Sequence, residues 1–312
     1  MSSHHSHSPS TLTIAVTGAT GLIGTALVTQ LRARGHTVRR LLHSQRSAEP
    51  GDVVWNAGMG AVPPTALAGA DAVIHLAGEP VAHRWTDDRK RAIRDSRVRS
   101  TELLADAVRA MGTKPAVFLS GSAIGFYGDR GDDLLDESSA PGRGFLAEVC
   151  MEWERAAAPI AAAGVRVVTL RTGVVLSPSG GALGKLLPIF RLGGGGPIGS
   201  GRQWLSWIGL TDHVRAMEHA LVTESVQGPA NLVAPNPVTN ADFAAILGRV
   251  LSRPAIVPVP AFALELLYGE MARDTILAGQ RVVPKALSSA GFTFETPTLE
   301  GALRAELERE QR

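Results

Sequence analysis

The stretch "VTGATGLIG", residues 16–24, is where the chain most plainly offers chemistry. Gly18, Gly21 and Gly24 recur at every third position. Glycine permits a tight turn and lets the backbone approach a pyrophosphate. The helix that follows adds free N–H groups and the positive end of its dipole. An apolar run before the glycines and a helical pattern after them point to a dinucleotide site. A merely tight strand–helix turn would use the same residues.

The next apolar run ends in "RRLLHSQRS", residues 39–47, with no acid before Glu49. NAD sites usually place an acid here for the ribose hydroxyls, whereas NADP sites favour positive charge for the 2′-phosphate. His43, Ser44 and Arg46 are the available partners, with Arg40 as a further cation. A solvated basic loop would read the same way, so the missing acid says more than the arginines do.

A third candidate is Arg97. Ile93, Ser100, Leu104 and Met111 form one stripe at helical spacing, and Arg97 falls inside it. A guanidinium turned towards a sheet needs a partner. A cofactor phosphate or ribose would serve, as would an internal salt bridge or a snorkelling side chain.

These residues need a scaffold. Runs at 11–17, 36–42, 52–55, 71–77, 116–120 and 166–171 are rich in Val, Ile and Leu and read as strands buried on both faces. Helical segments at 22–34, 87–111 and 145–163 alternate with them. That alternation predicts an α/β fold, a doubly wound parallel sheet of Rossmann type with a smaller C-terminal α+β substrate domain. The expected division is a disordered tail over 1–11, a dinucleotide domain over 12–175 and a substrate or lid domain over 176–312, with the chain free to cross between the two. Helices are expected to open near Thr211–Asp212 and at Asn240, each behind a capping side chain, and a last helix over 298–309.

Composition narrows the class. The 312 residues are 45% hydrophobic and carry a net charge of +2, with cations scattered among acids. No nucleic-acid stripe, metal-ligand cluster or membrane span is evident. Cys150, the single cysteine, fits a reducing, cytoplasmic setting.

Beyond these signals, "TGATGLIG", "HLAGEPV", "SGSAIGFYGD", "LRTGVVLSPSGGALGKLLPIFRLGGGGPIGSGRQW" and "GQRVVPKALSSAGFTF" occur in that order. Together they resemble the atypical extended short-chain dehydrogenase/reductases of the NAD-dependent epimerase/dehydratase-like family, over residues 12 to 309. Some members bear the names of sugar-nucleotide epimerases, others of cell-division-inhibitor-like proteins. The resemblance implies NADP(H) as cofactor. It places Gly18, Thr20, Gly21, Leu22, Ile23 and Gly24 along the pyrophosphate, Leu76 and Ala77 under the adenosine ribose, and Arg97 and Val175 in contact with the cofactor. Relatives commonly carry Arg at His43, and a His at Gly209 that would otherwise enter the cleft.

The resemblance also raises a question. Typical members use a Ser after strand five and a Tyr-x-x-x-Lys on the next helix to move a proton. Ser122 stands in the serine position, while the Tyr-x-x-x-Lys slot is read as Phe145-x-x-x-Val149. Tyr127, Glu79 and Glu148 are possible replacements, each with an ordinary structural alternative. Arg202, Gln203, Trp204 and Trp207 of the glycine-rich loop at 193–207 could hold a polar, ring-bearing substrate, with the loop either a closing lid, which its glycines would allow, or a fixed packing loop. The expected function is therefore an NADP(H)-dependent oxidoreductase or epimerase acting on a small polar molecule. The alternative is a dinucleotide-binding regulator without catalysis.

Overall fold

The computed structural model describes residues 11–310. Of the tail expected at 1–11, only Thr11 lies among them. Seven parallel strands form the central sheet: β1 (Thr13–Thr17), β2 (Thr37–Leu42), β3 (Val53–Val54), β4 (Ala72–His75), β5 (Val117–Ala123), β6 (Arg166–Thr172) and β7 (Gly228–Leu232). Their order across the sheet is β7-β6-β5-β4-β1-β2-β3. The nearly continuous Val, Ile and Leu runs have their explanation in two covered faces. Ile14, Val16 and Ile74 pack with Leu27, Leu31 and Met217 on one side. Ala15, Val73 and Phe118 meet Leu104, Val108 and Ile160 on the other. Neighbouring residues of a strand point to opposite faces, so both must be apolar.

Nine longer helices accompany the sheet among the described residues: α1 (Leu22–Ala33), α2 (Asp87–Asp95), α3 (Val98–Ala110), α4 (Phe145–Ala156), α5 (Gly181–Arg191), α6 (Leu210–Val222), α7 (Asn240–Leu251), α8 (Ala261–Tyr268) and α9 (Leu299–Glu310). α5, α7 and α9 enclose a third core around Trp207, which is fully buried. The chain crosses back after residue 176: α6 packs beside α1, and β7 joins the sheet next to β6.

Two helices expected to be continuous are broken. The segment at 87–111 divides at Ser96–Arg97, where Ser96 Oγ donates to Ile93 O and accepts the Glu79 N–H. The segment at 145–163 divides at Ala157, because Pro159 opens the short helix Ala158–Ala162 and has no N–H to continue the ladder. Two caps also differ from expectation. α6 starts on Gly209 with no side-chain cap; Asp212 instead accepts the N–H groups of Glu295 and Thr296. α7 is capped by Thr239, while Asn240 Oδ1 accepts the Ile198 N–H at 2.7 Å.

Buried hydrogen bonds fix the ends of β1 and β4. Thr17 Oγ1 lies 2.6 Å from His75 Nδ1 and accepts the N–H groups of Leu76 and Ala77, each at 3.2 Å. His75 Nε2 meets Ser100 Oγ at 2.9 Å, and that hydroxyl donates to Ser96 O. The imidazole is thus a neutral Nε2–H tautomer, and burial, with the Arg97 charge, pushes its pKa from 6.5 down to about 3. His213, buried beside Thr172, is pushed down to about 4 by burial. The unfolded chain binds protons more readily at both sites. Stability is therefore present above the ordinary imidazole value and lost as pH falls below it. The melting temperature should drop progressively from pH 6.5 towards pH 4, and His75→Gln should shrink that slope. A melt independent of pH across this window would contradict the assignment.

Candidate functional site

Just past the C-terminal ends of β1 and β4, the Gly18 turn meets the Leu76–Ala77 backbone with no side chain between them. Gly18 turns with φ +68, a conformation that favours glycine, and a methyl group there would lie 2.7 Å from the Leu76 carbonyl carbon. A methyl at Gly24 would collide with the Gly18 carbonyl and Ala19. Gly21 caps α1 in extended conformation, its N–H bonded to Gly18 O at 3.1 Å. Thr20 and Gly21 are exposed, Leu22 and Ile23 half-buried, so the first turn of α1 opens outward. Leu22 touches the Gly180–Gly181 turn, which lies against Val175 O. One cradle thus gathers Gly18, Thr20, Gly21, Leu22, Ile23, Gly24, Leu76, Ala77 and Val175. Its bare backbone and free helix N-terminus fit a dinucleotide pyrophosphate.

His43, Ser44 and Arg46 follow β2 and are all exposed. Arg40 is not available to compensate for His43. Its guanidinium is held by Asp52 at 2.5 Å and by Glu49 at 3.2 Å. Burial opposes that charge, but the Asp52 hydrogen bond outweighs it and raises the pKa.

Arg97 is turned inward, as the stripe predicts. Nη1 donates to Glu79 O and Ile93 O, each at 3.0 Å, and the guanidinium stands 5.2 Å from the Trp153 ring centre. It packs beneath Gly78 at the end of β4, where a methyl would lie 3.0 Å from Cζ. Among the described residues no carboxylate pairs with it, and burial lowers its pKa from the usual guanidinium value. A half-buried cation held by carbonyls and a ring, next to the cradle, suits a phosphate or ribose.

Ser122, Glu154, Arg171, Tyr127 and Asn231 form one network. Ser122 Oγ donates to Glu154 Oε1 at 2.7 Å. Arg171 grips both Glu154 oxygens, at 2.8 Å each. Its Nη1 donates to Tyr127 Oη at 3.0 Å, and Tyr127 donates to Asn231 Oδ1 at 2.8 Å. Tyr127 is fully buried in the 3₁₀ turn after β5, and burial raises its pKa. Of the two readings of Tyr127, proton donor or packing aromatic, this burial fits the packing aromatic. Glu154, Arg171 and Asn231 escaped the sequence reading, although an arginine inside the apolar run "RVVTLRT" was a usable signal.

The helix register also needs correction. Val149 is buried with Trp85, Ile93 and Met271, and Phe145 packs edge-on to Trp85 at 5.0 Å. The residues of α4 beside β5 and its turn are Leu146, against Gly125, and Cys150, which neighbours Ser122 and Ala123. Neither Tyr nor Lys occurs anywhere in α4. Burial, helped by Glu154, pushes the Cys150 thiol up to about 11, which disfavours the thiolate form.

Other candidates sit elsewhere. Glu79 lies half-buried at the sheet edge, ion-paired with Arg89. Glu148 is exposed, 3.7 Å from Arg94. Trp207 belongs to the core, its Nε1 donating to Asn236 O at 3.0 Å. Trp204 is tied to Asp132, and Gln203 to Ile198 O and Ile276 O. Gly209 faces Glu306 and Thr296 rather than a cleft. The loop at 193–207 is stitched to the 253–259 segment through Val257 N to Gly195 O and Val259 N to Pro197 O. It is a packed wall, and Gly196 is required because Val257 backbone lies against it. No group of three His, Cys, Asp or Glu among the described residues is arranged to hold a metal.

Comparison with known proteins agrees with this geometry. The model of the NAD dependent epimerase/dehydratase family matches residues 14–233, and that of a domain of unknown function, DUF1731, matches residues 259–306. An epimerase family protein of Mycobacterium tuberculosis is 44% identical over 291 residues, covering 93% of this chain and 96% of its own. The crystal structure of the human epimerase family protein SDR39U1 with NADPH superposes with a TM-score of 0.87 at 34% identity, covering 95% of this chain and 99% of that one. A nucleoside-diphosphate sugar epimerase structure from Corynebacterium glutamicum gives a TM-score of 0.79 at 40% identity, over 96% of this chain and 58% of that longer one. The chain belongs to the NAD dependent epimerase/dehydratase family.

Proposed function

We propose that this chain is an NADP(H)-dependent oxidoreductase or epimerase acting on a small polar substrate of the nucleotide-sugar class in a reducing, cytoplasmic setting. The observation that carries the reading is the bare glycine cradle beside the unpaired cation of Arg97. The NADPH named with human SDR39U1, and the sugar-nucleotide name of the Corynebacterium relative, support its two halves. When bound, the nicotinamide would supply or accept a hydride. The chain's own residues divide the remaining work. Gly18, Gly21 and Gly24 bind the pyrophosphate, Arg97 a phosphate or ribose, and His43, Ser44 and Arg46 the 2′-phosphate. The parts of 176–312 outside α6 and β7 form the substrate side. Ser122 commits its proton to Glu154. It therefore offers lone pairs to a substrate hydroxyl, and its Glu154 partner keeps it oriented. Glu79 is the remaining polar candidate at the edge of β4.

One observation favours a second reading, a silent dinucleotide-binding regulator: α4 has no proton-transfer pair. Screening sugar nucleotides and small ketones for NADPH oxidation or epimer formation separates the two. Turnover supports the enzyme. Tight NADPH binding without turnover across the panel supports the regulator.

Two substitutions test the residue roles. Arg97→Leu should weaken NADPH binding by roughly tenfold or more, the scale of a lost charge-assisted hydrogen bond. The apo melting temperature should move little, because removing a half-buried cation without a carboxylate partner among the described residues offsets the lost carbonyl bonds. Large apo destabilisation with unaltered affinity would assign Arg97 to structure alone. With a substrate in hand, Ser122→Ala should cost more turnover than Phe145→Leu, since Phe145 packs on Trp85 and offers no hydrogen bond. Full rate in Ser122→Ala would remove Ser122 from the site.

A further inference from the structure

Helix α8, "AFALELLY", is apolar except for Glu265, yet none of its eight residues is buried. A helix apolar on every side normally lies inside a core or in lipid. Phe262 is 73% exposed and Leu266 77%. The apolar surface does not stop at the helix. Leu192, 88% exposed, and Ile256, 80% exposed, continue it across the neighbouring segments. Those segments are bound edge to edge, Val257 N to Gly195 O at 3.0 Å and Arg253 Nε to Arg191 O at 2.9 Å.

Charge is distributed unevenly around this face. Residues 186–201 and 254–264 contain one charged residue between them, Arg191. The exposed flanking residues Lys185, Arg202 and Arg253 are all cations, and exposed Arg84 reaches Leu266 O at 2.9 Å. Arg191 itself is paired with Glu310 at 2.9 Å, and α8 carries one acid, the half-buried Glu265, so among the described residues the unpaired cations of the rim are Lys185, Arg202 and Arg253. Apolar side chains rimmed by cations suit an anionic lipid surface, where the apolar residues enter the acyl boundary and the cations meet headgroups. A two-fold contact with a second copy would instead set the cationic rim against itself. No described helix is long and apolar enough to cross a membrane, so the contact is peripheral. The face also adjoins the loop wall, through Ala261 packed on Gly199.

We propose that this face, centred on α8, docks the protein on a membrane surface carrying anionic lipid. The test is co-sedimentation of the full chain with vesicles of phosphatidylcholine, with and without phosphatidylglycerol, at low and high salt. The chain should pellet with the anionic vesicles, and salt should weaken the binding. Phe262→Ser with Leu266→Ser, or Arg253→Glu, should reduce binding on the order of tenfold. These residues are exposed, so an unchanged melting temperature and unchanged NADPH affinity confirm an intact fold. Failure to pellet with either vesicle, or pelleting untouched by the substitutions, would overturn the proposal. So would a dimer seen by light scattering that Leu266→Ser dissolves while vesicles capture nothing.

Discussion

The ion pair between Glu154 and Arg171 is the contact on which the C-terminal edge of the sheet depends. Both groups are largely withdrawn from water, with side-chain exposures of 15% and 5%. Removing two charges from water is costly, and the cost is recovered only when geometry is good and every remaining donor and acceptor is used. Here the bond is bidentate, Ser122 supplies another donor, and Tyr127 takes a further guanidinium N–H. Burial alone would lower the Arg171 pKa, but Glu154 outweighs it and the charge is retained. The pair ties α4 to β6 and, through Ser122 and Asn231, reaches β5 and β7. Asn231 Nδ2 then donates to Val283 O, carrying the connection into the C-terminal segment. The edge where hydride chemistry would take place is rigid because a charge is buried beneath it.

At the other end of the cleft, rigidity has a different source. The cradle depends on the absence of side chains, with Gly18 and Gly24 letting backbone meet backbone. The neutral His75, bonded on both ring nitrogens, holds the β1 and β4 ends in register. One end of the site is fixed by a charge pair and the other by close backbone contact. The loop at 193–207 is fixed in a third way, by strand-like bonds to the 253–259 segment.

The sheet and the cradle were legible in the sequence because each is local. Runs of Val, Ile and Leu disclose strands buried on both faces, and a glycine triplet between strand and helix discloses its own turn. Arg97 was legible because helical spacing alone put it on the inward stripe. The Glu154–Arg171 pair was not, since it joins residues on different elements whose mutual approach depends on packing. The phase of α4 was misread for a related reason. It is set by Trp153 lying on Gly121, where a methyl would come within 2.6 Å of the ring. That contact turns Leu146 and Cys150 towards β5, and leaves Phe145 and Val149 against Trp85. Trp207 was placed in the cleft because a glycine-rich neighbourhood suggested motion; a third core, formed by distant helices, claimed it instead.

The account rests on the claim that the cradle and the acid-free end of β2 together select NADP(H). Calorimetric titration of the full chain with NADPH and with NADH tests this most directly. The account requires NADPH to bind more tightly, with Arg46→Ala narrowing the difference. Equal affinity, tighter binding of NADH, or no binding of either dinucleotide would contradict it.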